Sequence, residues 1–223
     1  MIDKLLKPEA ILCDRDGTLI QDCHFLCTPD QIEWIPGALA ALKILKELEI
    51  KVLVLTNQSG VARGYFPEES VEAVNDRMRR DAEAASGAIA DFYFCPHHPK
   101  GEIIQYSYDC ECRKPKPGMF LQAVLEHELT PDKCWVVGDR LRDLEPGLQL
   151  GMKAFLVETG SGVEAGQELS QSAYVDQVTV ISSMPEILSF IQQDLGIVAK
   201  ETGFLDEKTT LSGKIVARNP VSG

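Results

Sequence analysis

The sequence has no long hydrophobic run. Its apolar stretches span only a few residues, as in VLVL at 52–55, whereas a transmembrane helix needs about 20 consecutive apolar residues. The N-terminal segment MIDKLLKPEAILCD also lacks a basic region followed by a long apolar stretch, which is the pattern of a secretory signal. We therefore expect a cytoplasmic protein without a membrane partner.

Positive charge is scarce as well. The 223 residues include 22 Lys and Arg against 34 Asp and Glu, which gives a net charge of −12 at pH 7. Nucleic-acid phosphates repel such a chain unless one patch is strongly basic. The basic cluster RKPKP at 113–117 is small, but it suits a single phosphate group. We expect a monomer that acts on a small phosphorylated molecule and binds no nucleic acid.

Cysteine, by contrast, is plentiful, with seven residues. In a reducing compartment, clustered thiols more often bind metal than form disulfides. Cys95, Cys110 and Cys112, together with His97 or His98, would supply three thiolates and one imidazole, a typical closed structural zinc set. A closed set leaves no coordination position for a substrate, so we assign this zinc no catalytic role.

The other four cysteines do not suggest a metal site. Cys13 and Cys134 lie in apolar segments and are expected in the core. Cys23 and Cys27 flank His24 in DCHFLC at 22–27, but a fourth ligand is missing nearby. This segment follows the first predicted strand, where it can contact the non-reacting part of a substrate.

Apolar runs and helical patterns alternate along the chain. Strands are predicted at 10–14, 51–57, 91–95, 134–139, 153–159 and 174–181, and helices at 37–48, 67–86, 118–129, 143–151 and 184–196. This alternation predicts an α/β fold, a Rossmann-like doubly wound parallel sheet with helices on both faces. We expect one domain at 1–198 with a minimal cap and a zinc-bound loop at 95–112, followed by an appendage of unknown role at 199–223.

Polar residues follow several of the predicted strands. Asp14 ends the first, Thr56 and Asn57 end the second, and Asp139 ends the fourth, while a basic pair at 113–114 follows the third. In a doubly wound sheet the ligand lies at the carboxyl ends of the strands. Two carboxylates from separate strand ends suit Mg²⁺ with several waters retained. The sequence therefore predicts a magnesium and phosphate site at this edge.

The segment CDRDGTLI at 13–20 places Asp14 and Asp16 two residues apart. Two such carboxylates can divide their roles, one as a nucleophile and one as a general acid and base. Taken alone, the pattern could be a solvated turn. A calcium loop would need further acids at alternating positions, where Thr18 and Ile20 stand instead. The other polar strand ends make a turn alone a poor explanation.

These segments resemble the haloacid dehalogenase superfamily of phosphotransferases, whose four motifs match DRDGT, LTN, RKPKPG and GDRLRD in order over roughly residues 9–195. The resemblance implies that Asp14 attacks phosphorus and becomes an aspartyl-phosphate. Asp16 would protonate the leaving oxygen and then deprotonate the hydrolytic water. Thr56 and Lys114 would hold the transferring phosphoryl oxygens.

The resemblance also implies the binding residues. Mg²⁺ would be held by Asp14, the backbone carbonyl of Asp16, and Asp139. The first histidine of CPHHP would join the three cysteines around Zn²⁺, so that the ligands are Cys95, His97, Cys110 and Cys112. The substrate would be contacted by Asp22, Cys23, His24, Phe25, Asn57, Gln58, Ser59, Arg113 and Arg140.

The zinc would act on the phosphate site through chain connectivity. Cys112 directly precedes Arg113 and Lys114, so fixing Cys112 fixes where these cations point. Ordering the loop costs about 1–2 kcal/mol of backbone conformational entropy per residue. Binding of a structural zinc contributes about 10 kcal/mol or more to the free energy of folding.

The segments TNQSGVARGYF and CPHHP…CECRKPKPGMF are similar to the zinc-loop branch of the superfamily. That branch implies removal of the 7-phosphate of a heptose 1,7-bisphosphate in lipopolysaccharide precursor synthesis. Histidinol-phosphate phosphatases share the plan, but the 14 residues between His97 and Cys112 make a longer insert than we expect there. Phe25 stands where an aromatic residue with a hydroxyl is expected.

One alternative belongs to another class, the non-enzymatic phosphoacceptor domain. Receiver domains also place an Asp, a Thr and a Lys at strand ends. They do not need a second carboxylate two residues beyond the acceptor, where this chain has Asp16. A general acid and base at that position favours turnover over storage of the phosphoryl group.

Overall fold

The computed structural model describes residues 7–196. The predicted appendage at 199–223 lies outside these residues. Within them, six strands form one fully parallel sheet in the order β3-β2-β1-β4-β5-β6. This order is that of a doubly wound sheet, in which the strand order reverses between β1 and β4. The predicted fold class is confirmed. The strands are β1 Ala10–Cys13, β2 Lys51–Asn57, β3 Asp91–Cys95, β4 Cys134–Gly138, β5 Lys153–Val157 and β6 Val178–Ile181.

Helices cover both faces of the sheet. They are α1 Ala38–Glu47, α2 Glu68–Ala84, α3 Gly118–Glu126, α4 Leu141–Gln149, α5 Gly162–Leu169 and α6 Ile187–Asp194. Five of the six agree with the sequence-based helices to within a few residues. The sequence did not predict α5, because Gly162 and Gly166 lower the helix propensity of this short segment.

The core consists of two apolar clusters on opposite sides of the sheet. Alternate residues of each strand enter different clusters, so that Ile11 and Val52 belong to one while Leu12 and Leu53 belong to the other. Because helices shield both faces, the strands are nearly continuous apolar runs. The helices α1, α2 and α6 pack on the first face, and α3, α4 and α5 on the second. Cys13 and Cys134 are buried in the core, as predicted.

No helix within residues 7–196 has both the length and the apolar character to cross a membrane. The position of the functional residues follows from the sheet. Since all six strands are parallel, their carboxyl ends meet at one edge. The β1–β4 reversal opens a crevice there, and the loops after β1, β2 and β4 form its walls.

Candidate active site

An open cleft of about 260 Å³ lies at the carboxyl edge of the sheet. Asp14 and Asp16 enter it from the loop after β1, and Thr56 enters it from the end of β2. The sequence-based expectation that these strand ends converge is therefore met. The lining residues are Asp14, Asp16, Asp22, His24, Phe25, Leu26, Thr56, Asn57, Gln58, Ser59, Gly60, Arg140, Arg142 and Asp143.

Three carboxylates cluster beneath this cleft. Asp14, Asp139 and Asp143 each offer an oxygen atom, and these atoms lie within 4.8 Å of one another. Burial, followed by the charges of Asp14 and Asp143, raises the pKa of Asp139 to about 7. Asp139 Oδ1 and Asp143 Oδ2 are buried without a hydrogen-bond partner in the described part of the chain. Oxygen donors that are crowded, buried and unpaired in this way fit a hard divalent cation.

Lys114 is buried against the carboxylate cluster and is not among the residues that line the cleft. Its ammonium group lies 2.9 Å from Asp14 Oδ1 and 2.8 Å from Asp143 Oδ1, and it donates to the carbonyl of Leu55 at 2.6 Å. Its side chain is only 1% exposed. Burial alone would lower the pKa of Lys114, but Asp14 and Asp143 outweigh that effect and raise it. Lys114 is therefore a fixed positive charge against the oxygen of Asp14.

Asn57 lines the cleft, and its amide is bonded to the loop that carries Lys114. Its Nδ2 donates to the backbone carbonyl of Lys114, and its Oδ1 accepts from the backbone N–H of Lys114, both at 3.1 Å. This pair of bonds ties the end of β2 to the loop that carries Lys114. The contact of Asn57 with the substrate stays a prediction, and in the structure its polar atoms also hold the backbone of Lys114.

Gln58 joins two of the predicted catalytic residues. Its Nε2 lies 2.8 Å from Asp16 Oδ2 and 2.9 Å from Thr56 Oγ1. Thr56 and Gln58 are both buried. The hydroxyl of Thr56 therefore accepts one hydrogen bond from Gln58 and keeps its own hydrogen for another acceptor.

The loop after β1 forms the mouth of the cleft. Asp22 Oδ1 accepts from the backbone N–H of His24 at 3.0 Å, and Asp22 Oδ2 lies 3.8 Å from Arg140. Phe25 is half exposed and packs edge-on against Tyr65, with ring centroids 4.6 Å apart. The side chains at 22, 24 and 25 line the cleft together with Ser59 from the loop after β2, while Cys23 is exposed and is not part of the lining.

Two arginines occupy the rim and a third lies behind it. Arg140 and Arg142 line the cleft. Arg113 is half buried, and its Nη1 donates to the carbonyl of His97 at 3.2 Å. Burial, followed by the charge of Arg142, lowers the pKa of Arg113. This concentration of positive charge suits an anionic substrate.

Cys95, His97, Cys110 and Cys112 meet in a second cluster. Their sulfur atoms lie 3.1–3.4 Å apart, too far for a disulfide at about 2.05 Å. His97 Nδ1 lies 3.3 Å from the sulfur of Cys112. Hydrogen bonding with Cys95 and Cys110 lowers the pKa of Cys112 to about 5, which favours the thiolate form that binds metal. The cluster is compatible with zinc in a closed four-ligand set.

The structure also distinguishes the two neighbouring histidines. His97 Nε2 contacts the hydroxyl of Tyr108 at 2.7 Å, which fixes the ring with Nδ1 towards the sulfur atoms. His98 lies outside the cluster, because its Nδ1 accepts from the N–H of Lys100 and its Nε2 faces Arg63 at 3.2 Å. The choice of His97 as a member of the cluster agrees with this geometry.

The sequence-based site residues omitted several groups that the structure brings to the cleft. Asp143 joins the carboxylate cluster, and Arg142 lines the rim. The loop after β5 also supports the site, since the N–H of Ser161 donates to Asp139 Oδ2 at 2.8 Å and Thr159 donates to the carbonyl of Gly17 at 2.6 Å. The signal for this loop was ETGSG at 158–162, a further polar segment at a strand end.

Comparison with known families gives two matches. A model of the polynucleotide kinase 3 phosphatase family matches residues 10–143, and one described as HAD-hydrolase-like matches residues 111–183.

Curated relatives and solved structures give closer likenesses. The chain is 37% identical to D-glycero-β-D-manno-heptose-1,7-bisphosphate 7-phosphatase of Pasteurella multocida, over 81% of this chain and 96% of that protein. It is 34% identical to D-glycero-α-D-manno-heptose-1,7-bisphosphate 7-phosphatase of Photorhabdus laumondii, over 69% of this chain and 85% of that protein. The crystal structure of D,D-heptose 1,7-bisphosphate phosphatase from B. bronchiseptica, complexed with magnesium and phosphate, superposes with a TM-score of 0.74 at 32% identity, covering 83% of this chain and 99% of that one.

Proposed function

Because the chain belongs to the haloacid dehalogenase-like hydrolases, and within them to the heptose 1,7-bisphosphate 7-phosphatases, we propose that it hydrolyses the 7-phosphate of D-glycero-D-manno-heptose 1,7-bisphosphate with Mg²⁺. The chain is a phosphoric monoester hydrolase. One observation carries the proposal: Lys114 holds an oxygen of Asp14 beside two further carboxylates in an open cleft.

Asp14 is the proposed nucleophile. Its carboxylate attacks the phosphorus of the 7-phosphate, forms an aspartyl-phosphate, and releases the sugar oxygen. The contact between Lys114 and Asp14 Oδ1 orients the carboxylate and leaves its other oxygen for the attack. The same ammonium group can then contact the phosphoryl oxygens as Asp14 becomes esterified.

Asp16 is the proposed general acid and base. It gives a proton to the sugar oxygen as the phosphorus–oxygen bond breaks. It then takes a proton from the water that attacks the aspartyl-phosphate, which restores Asp14 and releases inorganic phosphate. A proton donor matters here because an alkoxide is a poor leaving group.

Thr56 and Lys114 are the proposed phosphoryl ligands. Charge on the phosphoryl oxygens must be balanced through the loose transition state. The hydroxyl of Thr56 retains its hydrogen for this purpose, and Lys114 contributes a full positive charge. Both side chains are held before substrate arrives, so little reorganisation is needed at the moment of reaction.

Asp14, Asp139 and the backbone carbonyl of Asp16 are the proposed magnesium ligands, with Asp143 beside them. Bound Mg²⁺ would offset the repulsion between these carboxylates and the phosphate. Zinc at the cysteine cluster would hold the loop in which Cys112 lies two residues before Lys114.

The remaining part of the substrate would lie at the rim. Asp22, His24 and Phe25 offer polar and aromatic contacts to the sugar, while Arg140 and Arg142 offer positive charge to its second phosphate. The other proposed substrate contacts from the sequence are Cys23, Asn57, Gln58, Ser59 and Arg113. The monomeric state, the cytoplasmic location and the lack of a nucleic-acid partner also stay predictions.

The test is a panel of initial rates with and without Mg²⁺. It compares the α and β anomers of the heptose bisphosphate with histidinol phosphate, fructose bisphosphate and a 3′-phosphorylated oligonucleotide. We expect kcat/KM to be highest for a heptose bisphosphate, with phosphate released from position 7 and no turnover without Mg²⁺. Preference for histidinol phosphate or for the oligonucleotide would contradict the proposed substrate.

A further inference from the structure

A fully buried arginine lies directly behind the proposed general acid. Arg15 has no exposed surface, which is unusual because a buried guanidinium group needs charged and polar partners to offset its lost hydration. Its Nε donates to Asp16 Oδ2 at 3.1 Å, and its Nη2 lies 3.1 Å from Oδ2 and 3.3 Å from Oδ1 of the same carboxylate. Arg15 therefore holds Asp16, its neighbour in the sequence, with the Nε–Nη2 edge of its guanidinium group.

The two oxygens of Asp16 differ in their hydrogen bonding. Oδ2 accepts two hydrogen bonds, from Nε of Arg15 at 3.1 Å and from Nε2 of Gln58 at 2.8 Å. Within residues 7–196, Oδ1 accepts one, from Nη2 of Arg15 at 3.3 Å. Each N–H donor uses part of the acceptor capacity of an oxygen, so the oxygen with one long hydrogen bond has more capacity left to hold a proton. The proton that Asp16 exchanges is thus directed to Oδ1.

The guanidinium is itself fixed from the opposite side by α2. Arg15 Nη1 donates to Asn75 Oδ1 at 3.1 Å, and Asn75 is buried. The neighbouring buried positions of this helix are the apolar residues Val71, Val74 and Met78. Asparagine has low helix propensity and is polar, so it is unfavourable at a buried position of a helix. A residue that is locally unfavourable in this way is expected at functional positions.

We propose that Asn75 and Arg15 are positioning residues that hold Asp16 with Oδ1 as its proton-exchanging oxygen. This inference rests on the proposed function, in which Asp16 acts as general acid and base. During phosphorylation of Asp14, the Oδ1–H bond breaks and its proton joins the sugar oxygen as that oxygen leaves phosphorus. During hydrolysis, Oδ1 takes a proton from water as the water oxygen bonds phosphorus.

The experiment uses Asn75→Ala, because replacing the buried Arg15 can impair folding. The full-length, zinc-loaded enzyme is assayed with Mg²⁺ on a sugar phosphate and on p-nitrophenyl phosphate. Nitrophenolate leaves without a proton, so only the sugar phosphate needs the acid. Since kcat/KM reports the steps up to release of the first product, it isolates the acid function. We expect a loss of about tenfold for the sugar phosphate, part of the 10²–10⁴ that acid–base catalysis contributes, and a change of less than about twofold for the aryl ester.

Val74→Ala is the matched control. Val74 lies in the same helix, is fully buried in the apolar core, and loses packing when truncated. It should affect both substrates equally. A second readout is inhibition by beryllium fluoride, which mimics the phosphorylated enzyme and needs no acid. Its inhibition constant should be unchanged in Asn75→Ala.

Equal losses on both substrates, an unchanged rate on the sugar phosphate, or a weakened beryllium fluoride complex would each overturn the positioning role. These outcomes are distinct from a failure of the proposed function, which would appear as a wild-type enzyme that hydrolyses no sugar phosphate.

Discussion

Replacing Lys114 by methionine should destabilise the protein strongly at neutral pH. The substitution keeps the apolar stem but removes the charge that lies 2.9 Å from Asp14 and 2.8 Å from Asp143. These two carboxylates are only 12% and 3% exposed, so solvent can do little to replace the lost partner. Breaking a buried ion pair from one side costs about 3–5 kcal/mol, and we expect a loss of this size in the free energy of unfolding.

The same variant should recover part of its stability as the pH falls. Burial already raises the pKa of Asp143, and Lys114 opposes that rise. Without Lys114 the pKa rises further above the value of about 3.9 in an unfolded chain. The folded state then binds the proton more tightly than the unfolded state, so lowering the pH favours folding. The stability difference from wild type should therefore shrink as the pH is lowered from neutrality towards the unfolded-state pKa of about 3.9.

Urea unfolding without added Mg²⁺ measures this, with Lys116→Met as the matched control. Lys116 lies two residues further along the same loop, but its partners Asp109 and Glu111 are exposed. An exposed pair contributes little, so the control should lose far less stability and show no comparable change with pH. Equal losses for the two variants, or a difference that widens on acidification, would refute the reasoning about the buried cation.

Two further substitutions test the metal sites. The Cys110→Ser variant should lose bound zinc, measured by elemental analysis, and should lose turnover before the sheet unfolds. Replacement of the exposed Cys23 by Ser is the control and should leave the zinc bound. Full activity in a zinc-free Cys110→Ser protein would disprove the loop-positioning role. Gly160→Ala should weaken Mg²⁺ binding, measured by the Mg²⁺ dependence of the rate, because the new Cβ would lie 2.4 Å from Asp139 Oδ2. Gly151→Ala is its control, since both glycines have positive φ but nothing lies within 4 Å of the Cβ position at Gly151; equal Mg²⁺ dependence in the two variants would contradict the close-approach argument.

Much of the site could be predicted from sequence because its key residues directly follow strands. In a parallel sheet, strand periodicity alone places Asp14, Thr56 and Asp139 at one edge. The spacing of three cysteines and a histidine likewise indicates a metal cluster without knowledge of the fold. Both signals depend on residues that are close together in the sequence, so they can be recognised without knowledge of the tertiary contacts.

The support for these residues could not be predicted in the same way. The bond between Arg15 and Asn75 joins positions 60 residues apart. Arg15 lies within the DRDGT motif, but nothing in the sequence pairs it with Asn75, which lies outside the four motifs. Asn57 is predicted as a substrate contact, but its two hydrogen bonds to the backbone of Lys114 join residues 57 positions apart and have no signal in the sequence. The loop at Thr159 and Ser161 was missed because the helix after it has weak local propensity.

The central claim is that Asp14 carries the phosphoryl group. A crystal structure of the protein with Mg²⁺ and beryllium trifluoride tests it most directly, with Asp14→Asn as the companion variant. The account predicts beryllium bonded to a carboxylate oxygen of Asp14, next to Lys114 and Thr56, and no turnover in the folded variant. Beryllium bonded to another residue, or hydrolysis by Asp14→Asn, would contradict it.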